Sequence, residues 1–214
     1  MKDLTLLTER AVSCLRDLFQ GESSGHDLHH TLRVYRTAMS IAESEGGDRT
    51  VIALAALLHD ADDQKLFHTE NLANARAFLQ ENGISPELEE RICAVIREIS
   101  YRGTDSVTPA TPEGKIVQDA DRLDAVGAIG IARAFAFGGS RGRPIHDPEE
   151  APKLTMSAAE YAANQGTSIN HFYEKLLKLK DLMNTEYGRQ LAAERHAFME
   201  QFLTEFYAEW NGER

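Results

Sequence analysis

The chain has 214 residues, a formal net charge of −11, 42% hydrophobic residues and 27% charged ones, the balance of a globular protein with enough length to bury a substantial core. Its acidity, with no cluster of lysines and arginines, argues against DNA, RNA or an anionic membrane surface as the main partner, although one local pocket can still take a small anion. No apolar run approaches the roughly 20 residues of a membrane span, MKDLTLLTER lacks a signal peptide's apolar region, and Cys14 and Cys93 have no CxxC spacing, so the sequence reads as a cytoplasmic protein with two free thiols.

In chain order the pattern is helical. Leu4, Leu7, Ala11, Leu15 and Leu18 keep helical spacing up to Gly21. A second helix is predicted from about Asp27 to Glu45, stopped by Gly46-Gly47. Asp48 is a good N-cap for the apolar segment that follows. Thr69 to Asn82 reads as another helix, closed by Gly83, and Ser85-Pro86 starts one that runs through Ile99. Thr111-Pro112 repeats that device for a long helix towards Phe137. Residues 138–166 are rich in Gly and Pro and read as a long loop. SINHFYEKLLKLKDLM predicts one further helix, and Thr185 to Trp210 a last one. Strand-like alternation, repeats and low-complexity tracts are lacking. The expectation is an all-α bundle of about eight helices.

The stretch VIALAALLHDADDQKLF, residues 51–67, carries eight apolar residues straight into His59, Asp60, Asp62 and Asp63. Buried charge is costly unless paired or bound to a metal. His-Asp occurs three times, as His26-Asp27, His59-Asp60 and His146-Asp147, so position has to discriminate. His146-Asp147 precedes Pro148 in the predicted loop and reads as solvated surface. His26-Asp27 opens a helix, where Asp is favoured by the dipole. His59-Asp60 ends a helix that is apolar all round, at the bottom of a core. On the second helix His30 shares a stripe with Val34, Thr37 and Ile41, and His26 lies one turn earlier, while His29 falls on a polar stripe with Arg33 and Arg36. On the long helix Asp121 shares a stripe with Val117, Asp124, Ala128, Ile131 and Phe135; Asp119 sits off it, three residues from Arg122, as a surface pair. Two imidazoles and two carboxylates thus point inward from three helices, a mixed nitrogen and oxygen set suited to a divalent transition metal.

The order His30, His59-Asp60, Asp121, with HDLHHTLRV, AALLHDADD and DADRLDA around these residues, resembles the HD-domain metal-dependent phosphohydrolases. ISYRG at 99–103, IVQDADRLDAVGAIGIARAFAFGG at 116–139 and SINHFYEKLLKLKDLM at 168–183 extend the likeness to small bacterial single-domain members. The resemblance implies a single domain over 1–214, with an HD core at about 22–130 and C-terminal helices at about 168–210 packed on it. It implies that His30, His59, Asp60 and Asp121 bind one divalent ion, whether Mn, Mg, Ni, Co, Fe or Zn.

Hydrolysis of a phosphate ester then needs an activated water, charge neutralisation and a proton acceptor. The family's HDxxE pattern puts that acceptor at Asp63, one methylene shorter than Glu. His26, Lys65, Arg102, His171 and Lys175 are the expected phosphate and substrate contacts, with Arg141 and Arg143 in the loop as weaker ones. Arg33 and Asp124 read as orienting pairs for the ligands or as structural pairs. The subgroup points to a nucleotide substrate, a nucleoside or deoxynucleoside triphosphate cleaved to monophosphate and pyrophosphate. The alternatives are a nucleoside monophosphate phosphatase and a non-catalytic, metal-stabilised scaffold. A di-iron oxygenase, as in myo-inositol oxygenase, needs more histidines than His68, which alone lies between Asp60 and Asp121. Amphipathic terminal helices leave a homodimer open.

Overall fold

The computed structural model describes residues 3–21, 27–63 and 66–214, and among these it contains ten α-helices, two 3-10 helices and no strand. No helix is long and apolar enough to cross a membrane. The chain divides into two compact units, residues 1–101 with 106–121, and residues 102–105 with 122–214.

In the first unit α1 (Leu4–Leu18), α2 (Leu28–Glu45), α3 (Arg49–Leu58), α4 (Ala73–Glu81) and α5 (Pro86–Ile99) are joined by the start of α6 (Pro112–Asp124). The hub is α3, which packs against α1, α2 and α5. Contact on several sides explains why Val51 to Leu58 are all buried; each large side chain among them contributes about 1.5–3 kcal/mol by leaving water. Asp48 starts α3 as expected, its Oδ1 accepting from the Thr50 and Val51 amides at 3.0 and 3.4 Å. The backbone amide of Asp48 in turn donates to Glu113 Oε1 of α6 at 2.9 Å. Asp27 caps α2 through the His30 amide at 2.8 Å, and Gly46, at φ 82°, ends it.

In the second unit α7 (Gly127–Ser140), α9 (Ser168–Glu174), a 3-10 segment (Leu176–Leu182) and α10 (Glu186–Trp210) pack together, and α8 (Ala158–Ala163) lies on the Gly103–Asp105 turn. Its core is aromatic: the Phe172 ring stands 6.0 Å from Phe135 and 5.7 Å from Phe202.

Several elements differ from the sequence reading. The predicted helix over Thr111–Phe137 is two helices, broken at Ala125-Val126. Continued helix would satisfy the Leu123 and Asp124 carbonyls with the amides four residues on. Here Arg195 donates to the Leu123 carbonyl, and Arg133 to the Asp124 carbonyl and carboxylate at 3.2 and 2.8 Å. Gly127 then turns the chain at φ 78°, and a Cβ there would meet Arg195 side-chain atoms at 3.0 Å. The break resets the phase, so Ala128 is exposed rather than on the Asp121 stripe. The helix predicted from Thr69 begins only at Ala73, after Asn71 and Leu72 adopt φ 51° and 57°. SINHFYEKLLKLKDLM tightens from α into 3-10 geometry after Glu174. The loop placed at 138–166 starts after Ser140 and contains α8, which Ser157 and Glu160 close with a capping box.

Replacing a glycine inside a helix by alanine raises stability by roughly 0.5–1 kcal/mol. At a left-handed break the sign reverses, and Gly127→Ala is expected to lower it by about 1–2 kcal/mol. Urea unfolding of the variant measures which.

Candidate metal centre

His30 lies in the first turn of α2 and is fully buried, whereas its neighbour His29 is exposed. His59 is the C-cap of α3. Its Nδ1 faces the Ala56 carbonyl at 2.9 Å, so Nδ1 carries the hydrogen and the neutral ring turns the lone pair of Nε2 towards the site. There the two Nε2 atoms of His59 and His30 approach to 3.2 Å. The Asp60 carboxylate spans both rings, Oδ2 at 3.4 Å from His30 Nε2 and Oδ1 at 3.4 Å from His59 Nε2. Asp121 comes from α6, with Oδ1 at 3.4 Å from His30 Nε2 and 3.8 Å from His59 Nε2.

All four side chains belong to the first compact unit. Donor atoms about 2.1 Å from a shared ion stand roughly 3.0–3.4 Å apart, and the separations here run from 3.2 to 3.8 Å. The donor set therefore fits a divalent ion: His30, His59 and Asp121 form a group that could hold one, and Asp60 borders both of its imidazoles. Burial by itself would raise the Asp121 carboxyl. The hydrogen bond with His30 and the electrostatic attraction of the His59 and His30 rings beside it outweigh it and hold the group well below the usual carboxylate range.

Position along α6 is fixed by Gln118, a fully buried residue that sequence reasoning missed. Its Nε2 donates to the carbonyls of Glu98 and Val107, at 2.9 Å each. A glutamine one turn before a ligand aspartate on the same helix is a readable signal, because its amide has to be satisfied when buried.

These contacts accompany likenesses to known proteins. The HD-domain family model matches residues 27–126, and Bacillus subtilis YpgQ is 41% identical over 207 residues, covering 95% of this chain and 93% of YpgQ. The chain belongs to the HD-domain family. Among solved structures, a Lactobacillus plantarum protein superposes with a TM-score of 0.88 at 39% identity, over 99% of this chain and all of that one. A Bacillus thuringiensis HD-superfamily hydrolase superposes with a TM-score of 0.76 at 41% identity, over 98% and 99% of the two chains. YpgQ itself has been solved in complex with ADP; aligned by structure it is 32% identical with a TM-score of 0.78, over 96% of each chain. The HD protein described here is thus a hydrolase of that superfamily, a metal-dependent phosphohydrolase.

The other expected site residues of this HD protein fall in different places. His26 and Lys65 lie outside the described residues. Asp63 is half-buried in the turn after the doublet, its amide donating to the Asp60 carbonyl at 3.1 Å. Arg102, His171 and Lys175 belong to the second compact unit. Within it Arg102 is exposed, the His171 ring stacks on Tyr161 at 6.4 Å, and Lys175 Nζ stands 5.8 Å from the centre of the Tyr161 ring. Tyr161, unremarked in the sequence, links the two. Arg141 and Arg143 both lie over the Phe137 ring at 5.5 Å.

Two sequence expectations are corrected. Asp119 is fully buried rather than at the surface, and Arg122 is itself buried, donating to the Leu182 carbonyl. His146 is half-buried, not solvated, with its ring edge-on to Tyr207 and Trp210 at 5.4 and 5.0 Å. Asp124, read as an orienting or structural pair, pairs with Arg133 at the α6 terminus.

Gln118→Ala leaves two backbone carbonyls without their buried donor, and is expected to destabilise the fold by about 1–3 kcal/mol in urea unfolding.

Proposed function

We propose that this HD hydrolase binds one divalent ion through His30, His59, Asp60 and Asp121 and hydrolyses nucleotides, with a nucleoside or deoxynucleoside triphosphate cleaved to monophosphate and pyrophosphate. The observation that carries the metal assignment is the convergence of the two imidazole Nε2 atoms and two carboxylates at separations of 3.2–3.8 Å. The ADP complex of YpgQ supports a nucleotide ligand.

A divalent ion held there supplies neutralising charge for a phosphoryl group and lowers the pKa of water. The chain's own residues do the rest. The Ala56 carbonyl holds the His59 ring in one tautomer and orientation. Asp63, just beyond the doublet, takes the proton of the attacking water. That water's oxygen bonds to the α-phosphorus as the bridging P–O bond to the β-phosphate breaks, and pyrophosphate leaves with the bond's electron pair. Arg102, His171 and Lys175, with His26 and Lys65, are the proposed donors to the phosphate tail.

Asp121→Ala is expected to lower turnover by more than the roughly 100-fold that loss of an outer partner costs, with helicity retained by circular dichroism. In the parent protein Mn2+ at about 100 times its Kd is expected to add roughly 3 kcal/mol, a rise in Tm of about 5–10 °C, and Asp121→Ala should abolish that rise. Asp63→Asn should lower kcat by about 10²–10⁴-fold with Mn2+ affinity unchanged. A panel of nucleoside mono-, di- and triphosphates, scored for pyrophosphate and phosphate release, tests the cleaved bond. Phosphate release from monophosphates alone would replace this reading with a nucleotidase, and a metal-dependent Tm without turnover would replace it with a scaffold.

A further inference from the structure

We propose that Asp62 is a positioning residue of the metal centre, clamping the turn that carries Asp60 and Asp63 through the start of α4; the inference rests on the metal-centre reading above. Local bonds shape the chain around the doublet, with Ala61 N donating to the Leu58 carbonyl at 3.1 Å, Asp63 N to the Asp60 carbonyl at 3.1 Å and Phe67 N to the Asp63 carbonyl at 2.8 Å. Asp62, between Asp60 and Asp63 and buried, joins that stretch to α4. Its Oδ1 accepts from the Asn74 amide and its Oδ2 from the Ala75 amide, both at 3.0 Å. Asn74 Nδ2 returns a third bond, to the Ala61 carbonyl at 2.7 Å.

A plain helix cap does not account for this arrangement. α3 and α5 are capped locally by Asp48 and Ser85. By contrast, Leu72 at the N-cap of α4 makes no side-chain bond. To bring the amides of α4 onto a carboxylate 12 and 13 residues earlier, Asn71 and Leu72 both adopt left-handed backbone, which asparagine accepts but which is unfavourable for Leu72. The strain is tolerated where residues 61 and 62 are pinned, between two carboxylates of the candidate site.

Mn2+ titration calorimetry of the full chain tests the role, at a temperature where circular dichroism shows each variant folded. Asp62→Ala is expected to weaken Mn2+ binding about 10-fold or more, and Asp62→Asn less. Asn74→Ala, which keeps the carboxylate and both of its amide donors, is expected to weaken it several-fold and decides the matter if Asp62→Ala does not fold. Ser85→Ala removes an ordinary cap, the 3.3 Å bond to the Leu88 amide, and should leave Mn2+ affinity within about twofold of the parent. If Asp62→Ala or Asn74→Ala binds Mn2+ as tightly as Ser85→Ala does, Asp62 is a helix cap and the positioning role is overturned. That result differs from failure of the metal centre itself, in which the parent would bind Mn2+ no better than Asp121→Ala.

Discussion

Everything in the first compact unit answers to one constraint: two imidazole nitrogens, 3.2 Å apart and shielded from water, cannot both be cations and cannot both be bare acceptors. Because the Ala56 carbonyl fixes the hydrogen of neutral His59 on Nδ1, its Nε2 presents a lone pair to His30. A proton on His30 Nε2 relieves the clash of lone pairs in one way, and a shared cation relieves it in another. The cation also serves Asp60 and Asp121, whose oxygens border the same nitrogens. A buried polar group without its partner costs several kcal/mol, and a shared cation would offset that cost for all four side chains at once.

The geometry is set by backbone devices more than by the ligands. Asp27 ties its carboxylate to the His30 amide and so fixes the first turn of α2. Glu113 joins the start of α6 to the start of α3 through the Asp48 amide, which couples the helix bearing Asp121 to the helix ending at His59. Gln118 then holds α6 against the carbonyls of Glu98 and Val107. Each helix that delivers a ligand is thus held at its start by a polar bond, and α6 again by Gln118 one turn before Asp121.

Much of this was legible in the sequence, for identifiable reasons. Helix starts at Asp27, Asp48 and Ser85 were readable because their side chains cap locally, and inward-facing His30 followed from a stripe confined to one helix. What escaped reading depends on contacts distant in sequence. The break after Asp124 is made by Arg133 and Arg195 taking carbonyls that a continuing helix would have used. The late start of α4 is made by Asp62 from 12 residues away. His146 sits against an aromatic cluster on α10 that no local pattern announces, and Asp119 is buried on the side of α6 that a single stripe assigns to solvent. The HD motif was legible because its spacing is carried by two local signatures, a helix-ending doublet and an aspartate on a core stripe. Which residues would meet a substrate was not legible, because nothing local distinguishes Arg102 or Lys175 from other cations of the chain.

Charge balance joins the site to the composition. Two neutral imidazoles and two carboxylates carry two negative charges at the donor atoms, within a chain whose formal charge is −11. That field repels a free polyphosphate and attracts a divalent cation. One divalent ion held there would bring the donor set to neutrality and would offer a phosphoryl oxygen a Lewis acid in place of two carboxylates. The arginines Arg122, Arg133 and Arg195 give bonds to backbone carbonyls or Asp124, where they serve the fold. In such a chain the ion is the natural means of making an acidic surface accept an anionic substrate, and the acidity that disfavours nucleic acid as a partner is the same property that favours the ion.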